Sequence, residues 1–322
     1  MTLRVEVART GGPEVMQLTQ VDLPDPGPGM VRISNRAIGV NYIDTYHRSG
    51  LYPLPLPTGL GLEGSGVVEA VGADAGFSEG QRVAYFAAGI GAYAQAINLP
   101  AERIVALPDG VSFEQAAAVM LKGATVEYLV HRLFPLSGEH KTLFHAAAGG
   151  VGLLFGQWAA SLGVETIGTV SNEAKRELAL ANGYTHCLLS HDDTVAAVRE
   201  LTGGAMLPVV YDGVGASTFI QSLDCLAPRG LMVSFGNASG APGPFDLQEL
   251  ANRGSLFITR PTLMSYVASA SDLRDCAKAV LDRVADGRLK VHIAQRFALS
   301  EVQHAHSELQ SRRTTGSSLL LP

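Results

Sequence analysis

The chain has 322 residues, of which 47% are hydrophobic and 17% charged, and its formal net charge is −6. This composition indicates a globular protein of about two domains with a well-filled core. The acidic balance argues against a nucleic-acid partner, because binding to a phosphate backbone needs a basic surface. The sequence has no apolar run of roughly 18 residues, so no membrane-spanning segment is predicted.

The cysteines and the chain start bear on the cellular compartment. Cys187, Cys225 and Cys276 are widely spaced and odd in number, which suits neither a disulfide framework nor a C-x-x-C metal site. The first residues lack the continuous apolar stretch of a signal peptide. We therefore expect a cytoplasmic protein.

The first third of the chain is predicted to form strands and turns. Short segments rich in Val, Ile and Ala, such as VRISNRAIGVN and GSGVVEAVGA, are interrupted by glycine. The stretches DLPDPGPG (22–29) and YPLPLPTGLG (52–61) are predicted loops, since their prolines disfavour both helix and sheet pairing. This part is predicted to be a β-rich module.

The pattern changes from residue 112 onward. Residues 112–134 are predicted to be helical with a break at Gly123, and from Lys141 strands and helices alternate. The predicted strands are KTLFHA, VETIGTV, HCLLS, LPVVYDGVG and LMVSFGN, and the predicted helices are GVGLLFGQWAASLG, NEAKRELALANG, DDTVAAVRELTGG and STFIQSLDCLAPRG. This alternation predicts an α/β fold with a parallel sheet covered by helices on both faces. The segment GSLFITR (254–260) is predicted to end that sheet. DLRDCAKAVLDRVADG and LSEVQHAHSELQSRR are predicted to be helical and to pack on the first module.

A glycine motif lies where KTLFHA meets the next helix. Residues 147–152, AAGGVG, follow the pattern G-x-G-x-x-G with alanine in the first position. After a strand and before a helix, Gly149 would let the main chain approach a pyrophosphate, and Gly152 would let the helix lie close to the strand. A dinucleotide site is therefore predicted. The alternative is a glycine-rich packing turn without a ligand.

The end of the following strand indicates which dinucleotide is bound. An NAD enzyme places Asp or Glu there to bind the ribose 2′-hydroxyl, whereas this chain has Ser171, followed by Lys175 and Arg176. Without the carboxylate a 2′-phosphate is not repelled, and the cations attract it. NADPH is therefore favoured as the cofactor. The alternative is that Lys175 and Arg176 belong only to the solvated face of the next helix.

The segments GGPEV, NYIDTYHRSGLYPLPLPTGLGLEGSGVV, SFEQAAAVMLKGAT, LFHAAAGGVGL, VVYDGVG, GLMVSFGNASG and GSSLLLP carry a family resemblance that runs almost end to end. The chain resembles the zinc-independent quinone oxidoreductases, the zeta-crystallin type of the medium-chain dehydrogenase/reductase superfamily. The resemblance implies a GroES-like β-rich domain from residues 1–121 and 260–322, with a Rossmann doubly wound NADPH-binding domain at 122–259 and the cofactor in the cleft. It also implies a homodimer or homotetramer joined at the Rossmann sheet edge, with GSLFITR as the pairing strand.

The same resemblance implies the site residues. Contacts near the nicotinamide and its ribose are expected from Asn41, Tyr46, Lys122 and Thr125, with Phe235 and Gly236 beside the nicotinamide and Arg312 reaching in from the tail. The pyrophosphate is assigned to Gly149, Gly150 and Val151, and the 2′-phosphate to Ser171 and Lys175. Ser190 stands where close relatives often carry a tyrosine that touches the adenosine phosphate, and this difference bears on the strength of the NADPH preference.

Zinc is not expected as a cofactor. Zinc-dependent relatives use a cysteine and the histidine of a GHE motif as ligands, whereas this chain has Asn41 at the cysteine position and GLE at 61–63. His47 and Glu63 are the only remnants of such a site that could be proposed. His145, beside the glycine motif, is predicted to pack within a buried strand.

Without a metal, the protein must place an electron-poor apolar acceptor against the nicotinamide, and it needs at most a hydrogen-bond donor at the developing oxyanion. The catalytic candidates are Asn41, Tyr46, Tyr52 and Lys122, the last three as donors, although Tyr52 could equally be a structural tyrosine. The predicted function is metal-free reduction of a small quinone by NADPH. One alternative is an NADPH-dependent enone or enoyl-thioester reductase. Another is an NADPH-binding protein without enzymatic activity, either crystallin-like or RNA-binding.

Overall fold

A computed structural model describes residues 1–322, which form two compact units. Unit 1 comprises Met1–Thr125 and Tyr266–Pro322, and unit 2 comprises Val126–Ser265. No helix in the structure combines the length and the apolar character needed to cross a membrane.

The elements follow one another along the chain as strands first and alternating strands and helices later. The strands are β1 (Thr2–Val7), β2 (Met16–Val21), β3 (Met30–Val40), β4 (Thr58–Gly59), β5 (Glu63–Val71), β6 (Arg82–Phe86), β7 (Ala96–Pro100), β8 (Ile104–Ala106), β9 (Lys141–His145), β10 (Glu165–Val170), β11 (His186–Leu189), β12 (Leu207–Asp212), β13 (Leu226–Ser234), β14 (Phe257–Thr259), β15 (Ile293–Ala298) and β16 (Ser317–Leu321). The helices are α1 (Tyr42–Ser49), α2 (Phe113–Glu127), α3 (Gly150–Ser161), α4 (Glu173–Leu180), α5 (Thr194–Leu201), α6 (Phe219–Asp224), α7 (Gln248–Asn252), α8 (Leu263–Tyr266), α9 (Ala270–Ala285) and α10 (Val302–Gln310).

Unit 1 contains two sheets. The smaller has the order β2-β1-β4, and the larger has the order β15-β16-β3-β5-β6-β8, with β7 also paired to β3. In the first half of β3, Val31 and Ile33 are buried and alternate with partly exposed residues, as expected of a strand with one face on the core. Its second half is buried at every position except Arg36, because Ala117 and Ala118 of α2 pack there. Full burial of a side chain such as Val31 or Ile33 stabilises the fold by roughly 1.5–3 kcal/mol.

Unit 2 is one sheet of six parallel strands in the order β11-β10-β9-β12-β13-β14. The chain builds outward from β9 to β11 and then returns to the other side of β9 through β12. Doubly wound sheets of this order bind ligands outside the carboxyl ends of the strands where the direction reverses, here between β9 and β12. The doubly wound parallel sheet predicted from the alternation is confirmed.

Two predictions about local structure in unit 1 were wrong, and two strands were missed. The region predicted to contain only strands and turns includes the helix α1. The predicted break at Gly123 is absent, since α2 continues through it. Glycine is required there by packing, because a Cβ at Gly123 would lie 2.7 Å from the side chain of Val280. In the tail, α9 and α10 agree with the two predicted helices, whereas β15 and β16, which join the larger sheet, were not predicted.

A third prediction was wrong in unit 2. The predicted helix STFIQSLDCLAPRG is helical only over α6, Phe219–Asp224, and the part LAPRG belongs to β13. Pro228 lies in this strand next to Arg229, whose backbone is left-handed, at a point where the pairing of β12 with β13 is irregular. A proline is tolerated in a sheet at such an irregularity.

Candidate functional site

The turn from β9 into α3 is shaped by the main chain alone. Ala146 adopts a left-handed conformation, with φ of 59°, and its carbonyl accepts the N–H of Gly149 at 3.0 Å. Gly149 is the N-cap of α3, and no side chain caps the helix there. The first-turn amides of Gly150, Val151 and Gly152 therefore remain available for an anion, as is usual at an uncapped helix start.

The glycines of this turn are required for two different reasons. A Cβ at Gly152 would lie 2.5 Å from the carbonyl oxygens of both Ala146 and Ala147, so no side chain fits where helix and turn meet. A Cβ at Gly149 would meet only the Ala146 oxygen, at 3.2 Å, and would otherwise project into open space. The open side of the turn is thus the side on which a ligand can approach the main chain.

A buried polar network around His145 lies next to the turn. His145, the last residue of β9, bonds Thr169 Oγ1 through Nδ1 at 2.9 Å and Ser222 Oγ through Nε2 at 3.0 Å. Because Ser222 donates its own hydrogen to Asp212, Nε2 must carry the hydrogen that the ring donates. Burial lowers the pKa of His145, against a smaller opposite effect of Asp212. His145 is thus a neutral, fully hydrogen-bonded residue of the sheet interior.

Asp212, at the end of β12, fixes the neighbouring turn. Its Oδ1 accepts the N–H of Val214 at 2.7 Å and of Gly215 at 3.0 Å, and its Oδ2 accepts the hydroxyls of Thr218 at 2.7 Å and Ser222 at 2.8 Å. With four bonds, the carboxylate holds the turn that follows β12 at the sheet reversal. The sequence analysis did not single out this residue. Its place directly after a buried strand and before a G-x-G turn was the signal that could have identified it.

The predicted 2′-phosphate residues lie at the ends of β10 and β11. Val170 of β10 and Leu189 of β11 are register partners in these adjacent parallel strands. Ser171 and Ser190 are the residues that follow them, and both are exposed. The Asn172 side chain caps α4 by accepting the N–H of Lys175 at 3.0 Å. Partial burial lowers the pKa of Lys175.

Arg176 forms an ion pair within its own helix. It pairs with Glu173 at 3.3 Å on the exposed side of α4. Of the two cations that follow Ser171 in the sequence, Arg176 is therefore paired within its own helix.

Phe235 and Gly236 lie just beyond the carboxyl end of β13. The Phe235 ring packs on Phe144 with centroids 5.5 Å apart, and a Cβ at Gly236 would lie 2.4 Å from the carbonyl oxygen of Gly213. Arg260, which the sequence analysis did not consider, donates to the carbonyls of Ser234 and Gly236, both at 2.9 Å. The turns after β12 and β13 are thereby packed against each other.

In unit 1, the candidates Asn41 and Lys122 meet at one carboxylate. Glu63 Oε1 accepts Asn41 Nδ2 at 2.7 Å and Lys122 Nζ at 3.0 Å, and Oε2 accepts the main-chain N–H of Leu121 at 2.8 Å. Glu63 is fully buried, while Asn41 and Lys122 are 5% and 6% exposed. Thr125, one turn further along α2, donates its hydroxyl to the carbonyl of Leu121 at 2.9 Å.

The tyrosine candidates form an aromatic cluster on and beside α1. The ring of Tyr46 lies 5.1 Å from that of Tyr52 and 6.0 Å from that of Tyr42, between ring centroids. Arg312 has left-handed backbone, with φ of 60°. Its side chain hydrogen-bonds Tyr42, whose pKa is raised by burial and lowered less by this arginine. The structure thus brings Arg312 to the helix that carries Tyr46.

A second buried network anchors α1. Asp44 Oδ2 accepts the N–H of Asn41 at 2.8 Å and the hydroxyl of Tyr93 at 2.7 Å, and Tyr93 lies 3.0 Å from His306 Nε2. Arg48 contacts His306 Nδ1 at 3.1 Å. Since arginine can only donate, His306 accepts at Nδ1 and carries its hydrogen on Nε2. Burial raises the pKa of Asp44 to about 7 and lowers that of His306 to about 3.

The residues of unit 1 do not suit a zinc ion. The structure contains no group of three or more His, Cys, Asp or Glu side chains that could hold a metal. Glu63 is engaged by a lysine ammonium, and His47 lies on α1 with its ring 6.3 Å from that of Tyr52. A carboxylate that already neutralises a buried cation is a poor ligand for a dication.

Comparisons with known proteins agree with this description. Residues 27–109 match the alcohol dehydrogenase GroES-like domain family, and residues 150–284 match the zinc-binding dehydrogenase family. A quinone oxidoreductase of Pseudomonas aeruginosa is 52% identical over 325 residues, with 100% of both chains covered.

Two further relatives are informative. The crystal structure of Escherichia coli quinone oxidoreductase complexed with NADPH is 45% identical, covers 100% of both chains and superposes with a TM-score of 0.98. A 2-haloacrylate reductase of a Burkholderia species is 41% identical, with 100% of this chain and 99% of the relative covered. The GroES-like and Rossmann-type fold class is confirmed, and the chain belongs to the quinone oxidoreductase family of the medium-chain dehydrogenase/reductase superfamily.

Proposed function

We propose that this protein is an NADPH-dependent quinone oxidoreductase that reduces a small quinone without a metal. The observation that carries the proposal is the uncapped βα turn at residues 146–152, placed where the doubly wound sheet reverses. The full-length relatives that are named quinone oxidoreductases supply the acceptor class.

The turn residues fit a dinucleotide. The main-chain amides of Gly150 and Val151 would bind the pyrophosphate, since Gly149 leaves their approach open and the helix start favours an anion. Ser171 offers a hydroxyl instead of a carboxylate just after β10, and Lys175 offers a cation in the first turn of α4. These residues suit the 2′-phosphate of NADPH, with Ser190 on the neighbouring strand end as a further hydroxyl.

The remaining candidates would act on the reacting end. When bound, the reduced nicotinamide supplies a hydride. Phe235 and Gly236 in unit 2, and Asn41, Thr125 and Arg312 in unit 1, would orient the coenzyme. The rings of Tyr46 and Tyr52 would pack against an apolar acceptor, and Lys122 would donate a hydrogen bond to the oxygen on which negative charge develops.

The proposal is tested by steady-state kinetics. Oxidation of NADPH at 340 nm should depend on 1,4-benzoquinone or a similar small quinone, and it should survive exhaustive treatment with a zinc chelator. Absence of NADPH oxidation across a panel of quinones would contradict the proposal.

A second acceptor class has support from one relative. The similarity to a 2-haloacrylate reductase favours reduction of an activated carbon–carbon double bond as the alternative. The same assay compares a benzoquinone with an α,β-unsaturated ketone and with 2-chloroacrylate. A higher kcat/KM for either alkene would replace the quinone as the preferred acceptor.

We further propose a homodimer or homotetramer and a cytoplasmic location. β14 is the unpaired edge of its sheet, and Phe257 on it is 60% exposed, which favours pairing with a second copy. The three cysteines are free and buried, as suits a reducing compartment. We also propose residues 1–121 and 260–322 as the part that recognises the acceptor and 122–259 as the part that binds NADPH. Analytical ultracentrifugation of the wild type and of Phe257→Lys tests the assembly, since the edge charge should shift it to monomer.

A further inference from the structure

Glu63 stands out because its carboxylate joins two candidates for the reacting end of the site. It is fully buried, and it accepts bonds from Asn41 Nδ2, Lys122 Nζ and the Leu121 main chain. The surrounding backbone is built to admit it. A Cβ at Gly39 on β3 would lie 2.3 Å from both Glu63 Oε1 and the main-chain oxygen of Ala117, so a side chain at position 39 would collide with the carboxylate and with α2.

The carboxylate determines how the two neighbours point. A carboxylate paired with a lysine ammonium only accepts hydrogen bonds, so the Asn41 amide must turn its NH₂ toward Glu63 and its Oδ1 away. The Lys122 ammonium has three hydrogens, and Glu63 Oε1 is its one acceptor in the structure. Two hydrogens of Lys122 are therefore left for a ligand.

We propose that Glu63 is a positioning residue that holds the Lys122 ammonium in place as the hydrogen-bond donor to the oxygen of the acceptor on which negative charge develops. The inference rests on the proposed quinone reduction and names the device that replaces a metal in it. A fixed cation held by a buried carboxylate does the electrostatic work, and Glu63 itself neither touches the acceptor nor transfers a proton. The same carboxylate fixes the Asn41 amide, so the two side chains keep one relative orientation.

A double-mutant cycle tests the inference. At saturating NADPH, Glu63→Gln should lower kcat for benzoquinone by about 10- to 100-fold while KM changes by less than about threefold, because the lost interaction matters most in the transition state. Lys122→Met should lower kcat by at least as much. The double variant should be no slower than Lys122→Met alone, since Glu63 acts only through Lys122. Losses that multiply in the double variant would overturn the inference.

Two controls separate the possible failures. The affinity for 2′,5′-ADP should be unchanged in all three variants, because the candidate contacts of that fragment, Lys175 and Ser171, lie in unit 2. If Glu63→Gln does not fold, the double variant has no unpaired buried charge, and its comparison with Lys122→Met carries the test. A wild-type protein without quinone reductase activity would refute the proposed function, whereas an active wild type with multiplying losses refutes only the role of Glu63.

Discussion

The buried carboxyl of Asp44 should make the stability of this protein depend on pH in a way that one substitution reveals. Burial raises the pKa of Asp44 from 3.8 to about 7, with Glu63 adding to the rise and Tyr93, Asn41 and Lys122 opposing it. Between about pH 4 and pH 7 the unfolded chain loses this proton while the folded protein keeps it. The free energy of unfolding therefore falls as pH rises through this window.

The magnitude follows from the two pKa values. At about 1.36 kcal/mol per pH unit, the rise from 3.8 to about 7 corresponds to about 4 kcal/mol at most. His306 contributes the opposite slope, because burial and then Arg48 lower its pKa from 6.5 to about 3. The unfolded chain takes up a proton on this histidine as pH falls below 6.5, so that contribution to stability is lost toward low pH. In the wild type the two slopes therefore oppose each other between about pH 4 and pH 6.5.

Asp44→Asn removes only the first slope. The amide oxygen can still accept the bonds from Asn41 and Tyr93, and the NH₂ takes the place of Oδ1, which is buried without a hydrogen-bond partner. The variant should be less stable than the wild type near pH 4, and this deficit should shrink by about 4 kcal/mol toward pH 8. Urea unfolding at several pH values measures the difference.

The matched control for this experiment is Thr45→Val, which changes the neighbouring buried side chain of α1 and involves no ionisable group. Its stability difference from the wild type should be independent of pH. A deficit of Asp44→Asn that is equally constant from pH 4 to pH 8 would refute the reasoning, since it would mean that the buried carboxyl is ionised throughout this range.

Three other substitutions test the site. Lys175→Glu should weaken NADPH binding by roughly 30- to 1000-fold and NADH binding far less, because like charge replaces a salt bridge to the 2′-phosphate. Equal losses for the two coenzymes in a fluorescence titration would exclude a contact between Lys175 and the 2′-phosphate. Gly152→Ala should weaken binding of both dinucleotides by about tenfold or more, since its Cβ would lie 2.5 Å from two carbonyl oxygens. The control Gly243→Ala, at a position that faces open space, should leave dinucleotide binding unchanged. The Tyr52 ring packs edge-on against Tyr46 with centroids 5.1 Å apart. If it acts by packing, Tyr52→Phe should leave kcat and quinone KM within about twofold, and Tyr52→Ala should raise KM. A large fall in kcat for Tyr52→Phe in steady-state assays would make the hydroxyl a donor.

Much of the fold could be predicted from the sequence because its signals are local. The alternation of apolar segments and helical periodicity from Lys141 onward is enough to predict a parallel sheet. The glycines of residues 147–152 indicate the anion site, since strand, turn and helix follow one another directly. Ser171, where an NAD enzyme would have a carboxylate, likewise lies at a fixed distance along the chain from that turn.

The structure decided what joins residues that are far apart in the chain. Asn41 and Lys122 lie 22 and 59 positions from Glu63, and Arg48 lies 258 positions from His306. No periodicity links such pairs, because a buried polar group is satisfied by whichever partner the fold brings to it. The strands β15 and β16 were missed because β16 depends on pairing with the distant β3, and β15 depends on pairing with β16. The sequence therefore determined the glycine-rich βα turn and the family, while tertiary packing alone decided that Glu63 joins Asn41 and Lys122.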